Sequence, residues 1–384
     1  MKKNYLTLIA EHQLIIICSR MNLSEDEKQQ IADIIKTPTL DWAEVLYQAL
    51  SHRILNMIYF HLKSMKLLGF VEEEILKLMH YHSQVYLIRN NMYKEELYSI
   101  SAALIREGIK APVLKGSYLA CYAYPTIETR TFNDIDLLVK ISDGQKILEI
   151  LESSGYIQGD YDRNTFEITP ASRKQKIMHQ MSTHEFLECL KPSNNPFVPL
   201  LQLDLNHDIL WKGNCAYLVD SSELIDRAII IGDDGQKTCR LSHEDFLLQL
   251  CCHLYKEAVM INWIHDLRDL KLYKFADFAV YLDKFGENVR WDIFVKQVQD
   301  YSLQKIAYFA LYYADYIYDV IPQHVLASLE QEDKAYLNQY AIETGTPQTW
   351  SMDFFTRLFN SKHKLEIDQE LMKTKDAFWN QRMI

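Results

Sequence analysis

Asp134 and Asp136 stand two residues apart in "TFNDIDLLVK", an apolar run of the kind that lines a sheet interior. Residues i and i+2 of a strand share a face, so the two carboxylates emerge together, roughly 7 Å apart along the strand. Like charges at that range repel, and a cation relieves them. Hard oxygen ligands suit Mg2+, or Mn2+ in its place, which keeps several waters and is completed by substrate phosphates. Two such ions would activate an attacking oxygen and neutralise a departing pyrophosphate. The competing reading is a solvated strand end whose carboxylates simply face water.

Gly116 and Ser117, in "LKGSYLACYAY", lie between a predicted strand, "APVLKG", and a predicted short helix. Backbone N–H groups and a hydroxyl at such a junction can grip a phosphate. A phosphate grip followed by a strand with paired acids combines the two parts that transfer of a nucleotidyl group requires. Lys115 and Arg130 could neutralise phosphate charge, Arg through its bidentate fork; otherwise they are surface cations paired with Glu or Asp.

A third carboxylate is needed if an acceptor hydroxyl is to lose its proton to the protein. Asp204 in "LLQLDLNH" fits: Leu203 and Leu205 take the opposite face, so Asp204 shares its face with Gln202 and Asn206. It would join Asp134 and Asp136 as a metal ligand if the strands are neighbours. Its plainer reading is a polar residue on an exposed sheet face. His184, at the start of a predicted strand, is either a substrate contact or a hydrogen-bonded structural residue. His253 and Lys256 sit about one turn apart on a predicted helix and can face one cleft, a spacing that also arises by chance. Tyr308, Tyr312, Tyr313, Tyr316 and Tyr318 read as a core stripe with polar rims rather than a stacking platform.

The elements that must position these residues follow from periodicity. Residues 1–108 read as helical throughout, with capping-box spacing at Ser24–Glu27 and Asp41–Glu44. A helix is expected from about His82 to Glu107, with Val85, Ile88, Met92, Leu97, Ile100 and Leu104 inward and Gly108 as its left-handed stop. Residues 109–240 read as a small mixed β-sheet core: the Asp134/Asp136 strand, a helix opened by Ser142 and closed by Gly155, then strands near 166–168, 184–190 and 200–207. Residues 241–384 return to helix, with Ser242 capping the first and Pro322 beyond the end of "KIAYFALYYADYIYDV". The fold class is α+β, a small mixed-sheet core flanked by N-terminal and C-terminal helical regions.

Composition narrows the rest. The 384 residues are 48% apolar, enough to fill the cores of two or three compact units. A formal charge of −11 without a basic patch makes a long nucleic acid an unsuitable partner, while a nucleotide held through metal ions remains compatible. Seven scattered cysteines, Cys215 among them, form no C-x-x-C pair, so neither a disulfide framework nor a zinc site is signalled, and a cytoplasmic setting is expected. Lys2 and Lys3 precede an apolar stretch that imitates a signal peptide, but Glu11 and His12 interrupt it and no cleavage site follows. No run reaches the roughly 18 to 20 apolar residues of a membrane span.

The residues "LKGS", "YPTIETRTFNDIDLLV" and the later strand acid resemble the nucleotidyltransferase superfamily of DNA polymerase beta, and more closely its bacterial branch of uncharacterised nucleotidyltransferases. "DWAEVLYQALSHRI", "HEDFLLQLCCHLYKE" and "LYKFADFAVYL" resemble the helices that branch carries on either side. The resemblance implies that Gly116 and Ser117 hold a nucleoside triphosphate, that Asp134 and Asp136 bind metal, and that Asp204 is the third acid. It implies a peptide, protein or small hydroxylated molecule as acceptor, since members are associated with peptide natural products and polysaccharide pathways. A nucleotide-sugar donor acting on a modified peptide, or a nucleotide-binding partner protein without catalysis, are the rival readings. Two departures stand out. The spacer from Ser117 to Asp134 is longer than in polymerase-like members, which implies an altered nucleotide pocket. Asn206 and His207 stand where the branch often has His followed by Trp.

Overall fold

The computed structural model describes residues 4–211, 217–233 and 235–360, together with 362 and 367. Cys215, Lys2 and Lys3 lie outside the described residues. The chain gathers into two compact units, each discontinuous in sequence, where the sequence suggested three consecutive regions. One comprises residues 1–72, 250–283 and 303–384, the other residues 73–249 and 284–302.

The first unit is mainly helical. It opens with α1 (Ala10–Cys18), α2 (Glu25–Ile35), α3 (Trp42–Ser51) and α4 (Leu55–Ser64). Leu14 to Cys18 are at most 1% exposed, so the stretch that imitates a signal peptide is apolar because it is core. Ser24 and Glu27 close the expected capping box on α2. Asp41 caps α3 alone: its carboxylate accepts from the N–H groups of Ala43 and Glu44, while Glu44 turns to His12 and Gln48. Tyr308, Tyr313 and Tyr318 are buried in this unit's core, and the Tyr318 hydroxyl meets Ser19 Oγ at 2.6 Å, so the tyrosine stripe is packing.

The second unit holds the sheet. Helix α5 spans Glu73–Arg106, starting nine residues before the expected His82, and ends at Gly108 with φ 73°. Its inward face is polar midway: Asn90 is fully buried, whereas Ile88 is 39% exposed and Val85 and Met92 are only half-buried. Leu97, Ile100 and Leu104 are buried as expected. After α6 (Lys115–Tyr122) come β1 (Ile135–Leu138), α7 (Gly144–Ser153), β2 (Ile157–Tyr161), β3 (Ile168–Pro170), α8 (Arg173–Ser182), β4 (Cys189–Asn195) and β5 (Val198–Asn206). The five strands form one mixed sheet in the order β1-β5-β4-β2-β3, with β1 and β5 parallel and the other pairs antiparallel.

Several expected elements shift for local reasons. Pro112 has no N–H to give a ladder, so "APVLKG" shrinks to Val113, bridged to Leu137 on one side and Arg240 on the other. Ser142 does not cap α7; its hydroxyl turns to Asp143 and a 3-10 turn precedes the helix. Gly155, with φ 91°, does stop it. The strand expected at 184–190 forms its regular ladder only from Cys189 onward and continues through Asn195 as β4. Strand β2 was not anticipated.

Three neighbouring residues of α5 fasten the sheet. Tyr93 offers its hydroxyl to the Leu200 carbonyl and accepts from the Gln202 N–H, completing β5 where β1 has not yet begun. Arg89 donates to the carbonyls of Phe132 and Asn133. Asn90 donates to those of Ile127 and Arg130, at 2.6 and 3.0 Å. The loop before Asp134 is therefore pinned to the helix rather than left to solvent. Among the described residues the six cysteines are free and no helix is long and apolar enough to cross a membrane.

Asn90→Ala leaves two inward carbonyls without their donor and should lower the unfolding free energy by about 2 kcal/mol. Urea unfolding checks this against Asn91→Ala, whose amide only reaches back to Leu87 of the same helix and should change little.

Candidate active site

The Leu114 N–H donates to the Asp136 carbonyl, and the Pro112 carbonyl accepts from the Leu138 N–H. This segment runs along the open edge of β1 and delivers the start of α6 beside Asp136. On the other edge, the parallel register sets Asp136 directly against Asp204 and Leu138 against Asn206. Asp204 thus lies on the strand beside the acid pair, as its polar face required. Asn206 donates from Nδ2 to Asp136 Oδ1 at 3.3 Å.

Lys115 opens α6 in the left-handed conformation, φ 48°, which L residues seldom adopt. Its Nζ donates to the same Asp136 Oδ1 at 2.7 Å. Burial works against the ammonium, but Asp136, then Asp134 and Asp204, outweigh it and hold the lysine charged well above its ordinary range. Asp136 is 5% exposed; Asp134, just before β1, is half-buried.

Gly116 lets α6 close on the chain before β1: a Cβ there would lie 2.8 Å from Phe132 Cβ and 3.5 Å from Arg130 Nη1. Arg130 is buried and its guanidinium also donates to the Thr131 carbonyl. Ser117 is buried, with its hydroxyl turned to the Leu114 carbonyl at 3.4 Å. No side chain caps the first turn of α6. The helix start and Lys115 thus lie beside the acid pair, with Arg130 against Gly116.

Two further acids, which the sequence reading missed, complete the cluster. Glu185 bridges to Asn206 while Cys189 pairs with Leu203, so four steps of one strand face three of the other and the chain bulges between them. The bulge brings both Glu185 and Glu188 within electrostatic reach of Asp204, although an odd spacing would send them to opposite faces of a regular strand. Burial first, then Asp134, Asp136 and the two glutamates, pushes the Asp204 carboxyl well up; Asp204 is packed by protein yet keeps some solvent contact. Burial, Asp134, Asp160 and Glu185 raise Glu188 to about 7, and Gln202 Nε2 donates to its carboxylate at 3.0 Å.

His184 lies at the rim of this region, where its backbone carbonyl accepts from the His207 N–H. His253 and Lys256 belong to the helical unit, where His253 Nε2 lies 3.5 Å from Glu257 and Lys256 stands over the Trp263 ring.

Among the described residues no three carboxylate, imidazole or thiolate groups already enclose a point where an ion would sit. The donor set still suits a hard divalent cation. Asp134, Asp136 and Asp204 offer carboxylate oxygens, burial and the neighbouring acids push the Asp204 carboxyl well up, and Mg2+ in general takes one or two carboxylates with phosphate completing its shell.

A family model described as an uncharacterised nucleotidyltransferase matches residues 38–319, well over half of the chain. No curated protein and no solved structure matches the chain.

Gly116→Ala sets two backbone-bound Cβ atoms against each other and should lower the unfolding free energy by about 1–3 kcal/mol in denaturant unfolding. For Glu188 the sign follows from its raised pKa. Below the ordinary value of 4.5 both folded and unfolded chains are protonated; between 4.5 and about 7 only the folded chain is, so stability falls as pH rises. Glu188→Gln should therefore raise the melting temperature of the metal-free protein at about pH 8 and leave it unchanged at about pH 4.

Proposed function

Since the chain belongs to the family described as uncharacterised nucleotidyltransferases, we propose that it transfers a nucleoside monophosphate from a nucleoside triphosphate to a hydroxyl or phosphate group of a peptide, protein or small-molecule acceptor. The observation that carries this reading is the register that sets Asp136 beside Asp204 on one edge of β1, with the start of α6 delivered along the other edge.

In this reading Asp134, Asp136 and Asp204 hold two divalent cations, Mg2+ or Mn2+. When bound, these would neutralise the charge that builds on the phosphates as pyrophosphate departs. The N–H groups of Gly116 and Ser117, uncapped at a helix start, receive phosphate oxygens, and Lys115 and Arg130 supply positive charge. The acceptor oxygen attacks the α-phosphorus, an O–P bond forms, the α–β phosphoanhydride bond breaks, and pyrophosphate leaves with the electron pair. The acceptor proton passes to Asp204, whose raised carboxyl suits it to take one.

The support comes from the chemistry of the gathered side chains together with the family. A nucleotide-sugar donor would leave a different added mass on the acceptor. Incubation of the full chain with each α-labelled triphosphate, Mg2+ and candidate acceptors, followed by pyrophosphate release and acceptor mass, tests the reading. Asp134→Asn and Asp136→Asn should each lower pyrophosphate release by about a thousandfold with an unchanged circular dichroism spectrum. Full activity in either variant would sink it.

A further inference from the structure

We propose that Lys115 is an internal place-holder for a divalent cation: its ammonium neutralises Asp136 in the nucleotide-free protein and gives the carboxylate up when a triphosphate arrives. The proposal rests on the function just proposed, and goes beyond a lysine that merely adds positive charge to a phosphate site.

The geometry carries it. Lys115 Nζ stands 2.7 Å from Asp136 Oδ1. The backbone accepts a left-handed φ of 48° at this position, a conformation uncommon for residues with a Cβ. The same oxygen receives Asn206 Nδ2, so Oδ1 is doubly engaged by protein donors and held in one orientation. Asp134 and Asp204 also act on the ammonium, so one positive charge serves three acids.

That position is the one where a metal shared by Asp136 and its neighbours would place its charge. A lysine and a metal ion on one carboxylate repel each other, so nucleotide-free protein should bind divalent ions poorly. Lysine is suited to the exchange because its four-carbon stem is flexible and its ammonium is a point charge able to pass from a carboxylate to a phosphate. The helix start that would receive the phosphates is the turn that bears Lys115 itself. Triphosphate binding would draw the amine from Asp136 and open that oxygen to the metal that comes with the nucleotide. Metal and nucleotide would then enter together, and the site would not fill with metal beforehand.

A fixed structural salt bridge predicts something different: the amine would stay on Asp136 when tripolyphosphate binds, so the gap in metal affinity between wild type and a lysine-free variant would persist. Electron paramagnetic resonance titration of Mn2+ into the full chain separates the two. In the absence of nucleotide, Lys115→Met should bind Mn2+ about tenfold more tightly than wild type, the effect of removing one charge at this range. Lys115→Arg, which keeps the charge, should bind as weakly as wild type. With inorganic tripolyphosphate present the difference between Met variant and wild type should close.

Equal or weaker Mn2+ binding by Lys115→Met overturns the place-holder while leaving the proposed function standing, provided both proteins bind Mn2+ with tripolyphosphate. Micromolar Mn2+ binding by nucleotide-free wild type overturns it too, whether or not the Met variant folds. Failure of wild type to bind Mn2+ even with tripolyphosphate overturns the proposed metal-dependent function as well.

Discussion

Mutual repulsion among carboxylates on one face of a small sheet is the constraint around which the second unit is arranged. Asp134, Asp136 and Asp204 are brought together by parallel pairing of β1 with β5, and Glu185 and Glu188 are added by a bulge in the neighbouring chain. Such a group is unfavourable by itself, because burial strengthens the repulsion that water would otherwise screen. Lys115 offsets part of it through Asp136, and the rest shows in the upward shift of the Asp204 and Glu188 carboxyls. Carboxylates perturbed in this way and held together at a cost in stability are more typical of functional sites than of packing.

The scaffold resists that repulsion mainly through α5. Arg89, Asn90 and Tyr93 reach different parts of the site from one stretch of helix: the chain before Asp134, the turn around Arg130, and the backbone of β5. These are buried or half-buried polar groups with named partners, and they fix geometry more strictly than apolar contacts because a displaced donor loses its acceptor. Gly116 works in the same direction. Its missing Cβ allows α6 to lie against Phe132 and Arg130, so that the start of the helix reaches the edge of β1.

Regular alternation made much of the site legible in the sequence. Two aspartates at i and i+2 must share a strand face, and a third flanked by leucines must lie on the polar face of its own strand, so only the pairing of the two strands remained open. The long helix, its glycine stop and the Ser24 capping box were legible for similar local reasons. Irregularity hid the rest. Glu185 and Glu188 are three apart, which alternation assigns to opposite faces, and only a bulge brings both towards Asp204. Pro112 breaks a strand that its neighbours favour, and the polar inner face of α5 at Asn90 contradicts the apolar periodicity that located the helix.

By itself the sequence determined which residue types could do the chemistry, the α+β class and the faces of the strands, because side-chain direction along a strand or helix depends only on local backbone geometry. The tertiary structure decided what those faces meet: Asp136 beside Asp204, Lys115 turned onto Asp136, and His253 and Lys256 assigned to the helical unit. Strand order, register and bulges arise from contacts between residues far apart in the chain, whose energies no local pattern encodes. The electrostatics follow the same division, since a carboxylate's pKa depends on its burial and on the charges that folding sets next to it.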